Sequence, residues 1–581
     1  MNSTLEIVFG LLGGLAVFIY GMNMMSECLQ KAAGEKMKSI LALLTRNPIL
    51  GVIAGALTTA VLQSSSATTV MAIGFVSAGL MSLPQAISII LGANIGTTMT
   101  AQIIAFKLSD YIYIIIFLGF ILGFVAKSEK VKNIGQTIFA FGLLFLGIET
   151  MGSVMKPLAS SPIFTSMIER VADIPVLGVA VGTLMTLVVQ SSSATIAVLQ
   201  NFAAQPGADG VSSMLGLAGA IPILLGDNIG TTITALLASI GQPKDAKRTA
   251  VAHCLFNISG CLLFIWFVKP YAALIKYLSP KGPEIEVISR QIANAHTIFN
   301  ITMTLIWIPL IWLMVKMVMK IIPDGKAVVL DTSQPLYLDS KLVAQPTAAL
   351  QLVAKEIVHC MDLVKTMLSD ITTAAQNEDK RLVEDVIKKA EDTRSLYERI
   401  TEYLSELFAS GGLTEDQANQ TAGIMYILSD VDRMGALCKD IGNALQDKQE
   451  KKYKYSKDAM RDLEKSLELI RTMYADTMSA MITGDVENAK NITKRKEKIM
   501  DLDINMRKAH VERVGKGKCQ AKLTAPFNKI IHSIDRMGNC CINIVDAVQG
   551  DADLKYFVDL DLDTPEQITD NNAGKAKKIK A

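Results

Sequence analysis

The amino-acid sequence predicts an all-α protein in which a polytopic membrane domain precedes a soluble helical domain. Long apolar runs such as Tyr111–Ala126 and Ile301–Val315 end near Ile322, and runs of roughly 20 apolar residues are typical of transmembrane helices. After Asp339 the charge density rises, and apolar residues recur with helical periodicity among Glu, Asp and Lys. A third observation, an internal repeat, predicts that the membrane domain contains two inverted copies of one unit.

These patterns give approximate domain boundaries. We predict a membrane domain over 1–325, a linker over 326–345, a soluble helical domain over 346–550 and a disordered tail over 551–581. Within the membrane domain, repeat one covers about 5–126, repeat two about 135–270, and a last crossing 296–318.

The composition argues against several classes of function. The formal net charge of +2 is a near-balanced sum that gives no support to nucleic-acid binding. The sequence has no Gly-rich P-loop, so an ATP-driven pump lacks its usual signature. The 8 cysteines are scattered, without a CxxC pair or a His/Cys cluster at zinc spacing, so we expect no transition-metal site. The N-terminus lacks a cationic leader, and we interpret it as a retained first helix.

The internal repeat is the strongest signal in the sequence. Pro48–Thr69 and Pro175–Ile196 are identical at 14 of 22 positions, and both contain Gln-Ser-Ser-Ser-Ala-Thr. Further along, Gly92–Ala101 and Gly226–Ala235 are identical at 8 of 10 positions. The second copy carries seven extra residues, which we place in the turn-rich stretch NFAAQPGADGVSS. We interpret the pattern as an internal duplication.

The distribution of Lys and Arg predicts how the copies lie in the membrane. Basic loops are expected on the cytoplasmic side, and one consistent path then has two re-entrant hairpins at Pro48–Gly79 and Pro175–Ala204. An odd number of crossings separates equivalent points of the copies, so the second copy is inverted, as in secondary transporters. The predicted crossings are 7–29, 84–106, 111–126, 137–155, 214–240, 250–270 and 296–318.

The repeated polar cluster is the first candidate site. Small polar residues also mediate close helix packing in membranes, but six consecutive residues cover every face of a helix, so a single packing face does not explain them. Unwound or hairpin-tip segments can instead offer oxygens to Na⁺ and free N–H groups to an anion. The candidate residues are Gln63, Ser64, Ser65, Ser66 and Thr68 in the first copy and Gln190, Ser191, Ser192, Ser193 and Thr195 in the second.

The GxNxGTT pair adds a second set of candidates. These are Asn94, Thr97 and Thr98 in the first copy and Asn228, Thr231 and Thr232 in the second.

Two acids in membrane segments are candidate coupling residues. Asp227 replaces Ala93 of the first copy, and Glu149 replaces Asn23. An acid within a membrane segment predicts function, although a position at the wet edge of a helix explains each one equally well.

A later pair of sequences, HCLFN and HTIFN, places His253 and His296 four residues before Asn257 and Asn300. We expect both histidines to be structural and bonded within their own helix pair, and both asparagines to pack or to support the site.

The duplicated QSSS segments, each followed by GxNxGTT, together with HCLFN and HTIFN, resemble the bacterial branch of the type II sodium–phosphate cotransporter family over about residues 5–320. The resemblance implies a symporter that couples Na⁺ influx to inorganic phosphate uptake across the cell inner membrane by alternating access. It implies that the QSSS and GxNxGTT residues line the Na⁺ and phosphate sites, with Na⁺ as the coupling ion and no other cofactor. A transporter of another small oxyanion or carboxylate and a membrane phosphate sensor stay open as alternatives, and an enzyme is disfavoured.

The soluble half is expected to be two three-helix bundles. Ser429–Ile441 recurs as His532–Ile544, and each copy ends a set of three predicted helices. This arrangement resembles a PhoU-like domain, for which we expect a cytoplasmic regulatory role and a second copy of the chain or a regulatory protein as candidate partner. PhoU proteins bind metal through E-x-x-x-D motifs, but here the second acid is Ala436 or Asn539. The departure puts that metal site in doubt and favours ion pairs at the remaining aspartates, Asp432 and Asp535. We expect the basic end of the tail to contact anionic lipid.

Overall fold

The computed structural model describes residues 3–42, 47–106, 108–159, 170–171, 173–207, 211–323, 333–451, 453, 455–483 and 486–549. Nearly all of these residues are helical, and no β-strand occurs among them, which confirms the all-α prediction. The chain divides into two compact units, Met1–Lys326 and Ala327–Ala581. The predicted tail, 551–581, lies outside the described residues.

The first unit contains thirteen helices within the described residues. They are α1 Ser3–Ala42, α2 Pro48–Leu62, α3 Ser65–Ser77, α4 Leu83–Ile104, α5 Ile112–Val125, α6 Glu129–Ala159, α7 Pro175–Val189, α8 Ser192–Ala203, α9 Gly216–Ser239, α10 Lys244–Phe264, α11 Val268–Leu278, α12 Glu284–Trp307 and α13 Ile311–Ile321.

Several of these helices are long and apolar enough to cross a membrane. Within the described residues, five spans meet the length and composition of a crossing: Leu5–Lys31, Leu83–Ile104, Val131–Met155, Gly216–Ser239 and Lys244–Leu278.

Two predicted crossings look different in the structure. The segment 111–126 forms α5, which has only 14 residues. The segment 296–318 is bent by 84° between α12 and α13. Pro309 lies at this bend, and its ring and missing N–H prevent a continuous helix. The bend marks a broken span or a re-entrant loop.

Glycines allow α2 to pack closely against α4, and α7 packs in the same way against α9. A Cβ at Gly96 would lie 2.6 Å from the carbonyl oxygen of Ala56, and one at Gly230 would lie 2.7 Å from that of Thr183. Gly92 and Gly226, one helical turn earlier, would overlap backbone carbonyl groups in the same way. The GxNxGTT segments are continuous helix, and their glycines serve close helix packing.

Four helices join the two copies in one cluster. α4 packs against α3 of its own copy and against α8 of the other copy. α9 correspondingly packs against α8 and α3. The pair α10 and α12 covers this cluster, with α10 against α9, α3 and α4 and α12 against α4, α8 and α9. The duplication seen in the sequence thus reappears as a two-fold pattern of helix contacts.

The second unit consists of six long helices. Helices α14, α15 and α16 pack on one another, as do α17, α18 and α19, and the two sets meet through α16 with α19 and α14 with α17. This confirms the predicted pair of three-helix bundles. The bounds are α14 Pro346–Asn377, α15 Lys380–Ala409, α16 Glu415–Glu450, α17 Lys457–Thr483, α18 Val486–Gly515 and α19 Thr524–Gln549.

Two aspartates of the second unit form interhelical ion pairs. Arg394 on α15 donates to Asp432 on α16 at 2.9 Å, and Lys496 on α18 donates to Asp535 on α19 at 2.5 Å. Burial raises the pKa of the Asp432 carboxyl, and the hydrogen bond from Arg394 opposes that rise. Within the described residues, no group of three His, Cys, Asp or Glu side chains is arranged to hold a metal ion.

The glycine interface predicts a sharp difference between two alanine substitutions. Gly230→Ala should lower the stability of the protein by about 1–3 kcal/mol, because overpacking forces helix backbones apart. Gly13→Ala is the matched control, since a Cβ there meets nothing within 4 Å. The apparent Tm of the purified full chain in detergent measures both. Equal Tm values for the two variants would contradict the packing argument.

A buried histidine predicts acid sensitivity in the second bundle. His510 is 1% exposed, its Nε2 lies 3.0 Å from the Thr524 hydroxyl, and burial lowers its pKa, with a smaller contribution from Arg513. Because the folded state binds the proton less well than the unfolded state, stability falls as pH drops below the unfolded pKa, about 6.5, towards the lower folded pKa.

Hydrogen–deuterium exchange of α18 and α19 peptides in the full chain, corrected for intrinsic rates, should show this loss of protection. His510→Gln should remove the pH dependence. Protection in the wild type that does not change with pH would contradict the prediction.

Candidate functional site

Each QSSS segment lies at a break between two helices. α2 ends at Leu62, and Gln63 then adopts the left-handed conformation with φ 52°, while α7 ends at Val189 and Gln190 has φ 54°. In the described part of the first unit, these are the only two residues other than glycine with positive φ. Such a conformation is costly for a side-chain-bearing residue, so the sequence repeats a strained turn together with the polar cluster.

The serine after each glutamine begins the next helix. The Ser64 hydroxyl accepts a hydrogen bond from the Ala67 N–H at 3.2 Å, and the Ser191 hydroxyl accepts one from the Ala194 N–H at 3.3 Å. The following residues, Ser65 and Ser192, are buried and open α3 and α8. The first N–H groups of a helix have no partner within it and carry a partial positive charge. Each break therefore presents the kind of group that an anion site requires.

A hydrogen-bonded pair of threonines spans each helix break. Thr59 donates to Thr68 at 2.8 Å in the first copy, and the hydroxyls of Thr186 and Thr195 are hydrogen-bonded at 3.0 Å in the second. All four side chains are buried. These hydrogen bonds link the helix before the break to the helix after it, so the angle between the two helices is held by side chains as well as by backbone.

The threonines of the GxNxGTT segments bond in the same way in both copies. Thr97 and Thr231 donate to the carbonyl four residues earlier, at 3.0 and 2.9 Å. Thr98 and Thr232 donate to the carbonyl three residues earlier, each at 2.7 Å. A hydroxyl that donates its proton keeps its lone pairs for a cation. These oxygens are therefore suited to Na⁺, which favours hard oxygen ligands.

The two glutamines differ in their surroundings. Gln63 is buried, and its Oε1 accepts a hydrogen bond from Thr100 at 2.9 Å. Gln190 is exposed. Thr234, the second-copy equivalent of Thr100, donates instead to Ser66 of the first copy at 3.0 Å. The two identical QSSS segments therefore differ in the exposure of their glutamines and in their hydrogen-bond partners.

The two acidic candidates also differ. Asp227 is fully buried, and its Oδ1 accepts a hydrogen bond from Thr186 at 2.6 Å. Its Oδ2 is buried without a hydrogen-bond partner among the described residues. Glu149 is exposed on α6. The structure therefore joins Asp227 to the threonine pair of the second copy and gives no such contact for Glu149.

The histidines depart from the expectation that each bonds within its own helix pair. His296 Nε2 lies 3.0 Å from Oδ1 of Asn228, a candidate site residue on α9. Both ring nitrogens of His253 are buried without a partner among the described residues. Asn257 and Asn300 each donate to the carbonyl of the preceding histidine at 3.0 Å. One histidine, His296, is therefore in direct contact with a candidate site residue.

Four site residues were not selected from the sequence: Thr59, Thr186, Thr100 and Thr234. Each pair is identical in the two copies, within the aligned segments. Their identity in the two copies could have identified these threonines from the sequence. The candidate residues were instead chosen from the QSSSAT and GxNxGTT segments alone.

The comparisons with known proteins agree with this architecture. The Na⁺/Pi-cotransporter family model matches residues 17–153 and 149–279, and the PhoU domain model matches 357–445 and 463–548. The fold and the duplicated polar site define a polytopic membrane transport protein. The chain belongs to the Na⁺/Pi-cotransporter family and carries a C-terminal PhoU domain, so it is a phosphate-transport protein.

Individual relatives match over different lengths. The inorganic phosphate export protein YjbB of Salmonella typhimurium is 25% identical over 89% of this chain and 93% of its own length. YqeW of Bacillus subtilis is 32% identical over 53% of this chain and 95% of its own length. The rat sodium-dependent phosphate transport protein 2A is 39% identical over 16% of this chain and 15% of its own length. The crystal structure of the regulatory protein PhoU from Streptococcus pneumoniae is 20% identical, with a TM-score of 0.32 over 35% of this chain and 95% of its own.

The threonine pairs predict unequal effects of equivalent substitutions. Thr59→Val and Thr186→Val each remove one Thr–Thr hydrogen bond, but only Thr186→Val also removes the hydrogen bond to Asp227. Leaving a buried carboxylate oxygen without its donor costs about 1–3 kcal/mol. Thr186→Val should therefore lower the apparent Tm and phosphate transport more than Thr59→Val. Equal losses of Tm and of transport in the two variants would contradict a role for the hydrogen bond between Thr186 and Asp227.

Proposed function

We propose that the protein is a secondary symporter that couples Na⁺ to the movement of inorganic phosphate by alternating access. The observation that carries the proposal is the pair of equivalent helix breaks at Gln63 and Gln190. Each break places the start of a buried helix beside a cluster of hydroxyl oxygens. Phosphate and Na⁺ need these two kinds of group side by side.

The phosphate would bind at the starts of α3 and α8. Free N–H groups and serine hydroxyls can donate to its oxygens. Helices α2, α3, α4, α7, α8 and α9 carry no Lys or Arg, so none of them supplies a fixed counter-charge. Bound Na⁺ would supply it, and this dependence makes coupling a consequence of the site's chemistry.

Na⁺ would bind to hydroxyl and carbonyl oxygens of the QSSS and GxNxGTT segments. Moving one negative charge inward against −100 mV costs about 2.3 kcal/mol. Phosphate carries between one and two such charges at neutral pH, and co-transported Na⁺ would neutralise or reverse that charge. The same ions would thus complete the binding site and drive the transport.

Alternating access is supported by the unlike states of the two copies. Gln63 is buried against Thr100 while Gln190 is exposed, and Thr234 contacts Ser66 across the copies. In an inverted repeat, exchange of these states between the copies would open the site to the other side. A sensor that only binds phosphate would not need this exchange.

We place the protein in the cell inner membrane with the PhoU domain in the cytoplasm, on the basis of the basic loops. There the six-helix PhoU unit would regulate transport, and it offers a surface for a second copy of the chain or for a regulatory protein. Uptake follows from an inward Na⁺ gradient. Export is a second candidate for the physiological direction, because YjbB, named for phosphate export, matches both units of this chain.

The proposal predicts Na⁺-driven accumulation of labelled phosphate in proteoliposomes. An inward Na⁺ gradient should concentrate phosphate in the vesicles, and an equal K⁺ gradient should not. Gln63→Ala and Gln190→Ala should each reduce the initial rate at least tenfold, because each removes the side chain at one break. Accumulation under K⁺ would contradict Na⁺ coupling. Efflux from preloaded vesicles that exceeds uptake under mirrored gradients would favour export.

A further inference from the structure

Gln200 on α8 joins three helices of the membrane unit through its side-chain amide. The amide nitrogen donates to the Ala101 carbonyl on α4 and to the Ser289 carbonyl on α12, each at 3.1 Å. The Ser289 hydroxyl donates back to the Gln200 carbonyl at 3.3 Å. Gln200 is 1% exposed. We call this junction of α4, α8 and α12 the polar contact.

A second glutamine extends the polar contact between α4 and α12. Nη1 of Arg290 donates to Oε1 of Gln102 at 2.6 Å and to its carbonyl at 3.1 Å. Nε2 of Gln102 donates to Asn294 at 3.1 Å and to the Thr297 hydroxyl at 3.0 Å. These four residues are half-buried. Polar side chains that water can reach therefore hold α4 against α12.

The equivalent junction of α3, α9 and α10 is apolar. The repeat relates the residues of the polar contact to Ile73 for Gln200, Ala235 for Ala101, Leu236 for Gln102 and Ala246 for Ser289. All four belong to one apolar cluster, which we call the apolar contact, and Ile73 is 1% exposed. Beside this cluster, Ser77 donates to Gln242 at 2.7 Å. Equivalent helices thus meet through unlike chemistry in the two copies.

In the proposed inverted arrangement, the two contacts lie at opposite ends of the membrane unit. The start of α10, beside the apolar contact, is basic through Lys244, Lys247 and Arg248, so the positive-inside rule places this contact at the cytoplasmic end. The first turn of α12, beside the polar contact, contains Glu284 and Glu286. The polar contact then lies at the outer end.

The two contacts cost different amounts to open to water. Amide and guanidinium groups that separate from their partners bond to water instead, so the net loss is small. Exposure of Ile73 and its alanine neighbours loses hydrophobic stabilisation, and water gives no compensating interaction. The polar contact should therefore open more readily than the apolar contact.

We propose that Gln200 and Ile73 are the gate residues at the two ends of the transport path, and that their unlike chemistry favours opening at the Gln200 end. This inference rests on the proposed alternating access. The unloaded protein then spends most of its time open to the outside. There Arg290 provides a positive charge at the entrance, which attracts an incoming anion.

The first experiment measures the opening of each gate without transport. Cys254 on α10 and Thr297 on α12 are equivalent residues, both half-buried, about two helical turns further along than Ala246 and Ser289. A charged, membrane-impermeant maleimide should reach Thr297→Cys in intact cells when the outer gate opens. The same reagent should reach Cys254 in inside-out vesicles when the cytoplasmic gate opens. Mass spectrometry of the alkylated peptide separates each reporter from the other cysteines.

Exchange of the two gate residues should shift the balance between the gates. Gln200→Ile makes the outer gate apolar, so alkylation of Thr297→Cys should become slower and alkylation of Cys254 faster, with a change of about tenfold in the ratio of the two rates. Ile73→Gln makes the cytoplasmic gate polar and should also raise the rate at Cys254.

Two further variants keep the test decisive. Gln102→Leu introduces the residue of the second copy and should act as Gln200→Ile does, so a poorly folded Gln200→Ile does not leave the outer gate untested. Ile73→Val keeps the cytoplasmic gate apolar and is the matched control, with wild-type rates at both reporters.

A purely structural role for Gln200 would lower the amount of folded protein without moving the two rates in opposite directions. Rates that stay unchanged, move together or shift the opposite way in Gln200→Ile and Ile73→Gln would overturn the gates. Na⁺-driven phosphate uptake by proteoliposomes separates this inference from the proposed symport. Rates that respond as expected, without Na⁺-driven uptake, would support the gates and refute symport. Na⁺-driven uptake with rates that do not respond would leave symport standing and overturn the gates.

Discussion

The membrane unit depends on one constraint: helices that stop inside it expose backbone groups that hydrocarbon cannot satisfy. α2 and α7 end at Leu62 and Val189, and α3 and α8 each begin three residues later. Such breaks are tolerated only where protein or a polar cavity receives the free N–H and C=O groups. The Gln and Ser residues at each break supply part of that environment through the caps at Ser64 and Ser191. The free N–H groups that make the break costly are also the donors that an anion site requires.

Close packing through glycine keeps these breaks in place. Gly92 and Gly226 let α4 and α9 approach the backbones of α2 and α7, and the threonine pairs join each broken helix to its continuation. The duplication gives both copies this framework, but the contacts built on it differ. Ala93 and Asp227 occupy equivalent positions with unlike chemistry, and Gln63 and Gln190 have unlike exposure. The two copies thus share one backbone framework but differ in the side chains and contacts at their helix breaks. Such a difference is a physical basis for a site that alternates between two conformations.

Much of the fold could be predicted because the signals are local. Apolar runs, helical periodicity and the identity of the two copies identified the membrane unit, the helix breaks and the six helices of the PhoU domain. The bend between α12 and α13 was missed because the apolar run continues through Pro309, and hydrophobicity alone does not report a broken backbone. The close glycine contacts of GxNxGTT were also missed, since a glycine in the sequence can serve flexibility or packing, and only the neighbouring helix decides between them.

The candidate residues could be selected from the sequence, but their contacts could not. The contact of His296 with Asn228 and that of Thr186 with Asp227 join residues 68 and 41 positions apart, and no periodicity encodes such pairs. The exposed position of Glu149 on α6 likewise could not be distinguished in the sequence from the buried position of Asp227, because both replace neutral residues of the first copy. Long-range placement decides which of two similar acids can act on a bound ion.

A cryo-EM map of the full chain with Na⁺ and phosphate, compared with a map in K⁺ without phosphate, tests the central claim most directly. The two helix breaks are expected to enclose one ligand site, with anion density at the starts of α3 and α8 and cation density beside the threonine hydroxyls of α4 and α9. Ligand density elsewhere in the membrane unit, with neither break in contact with it, would contradict this assignment.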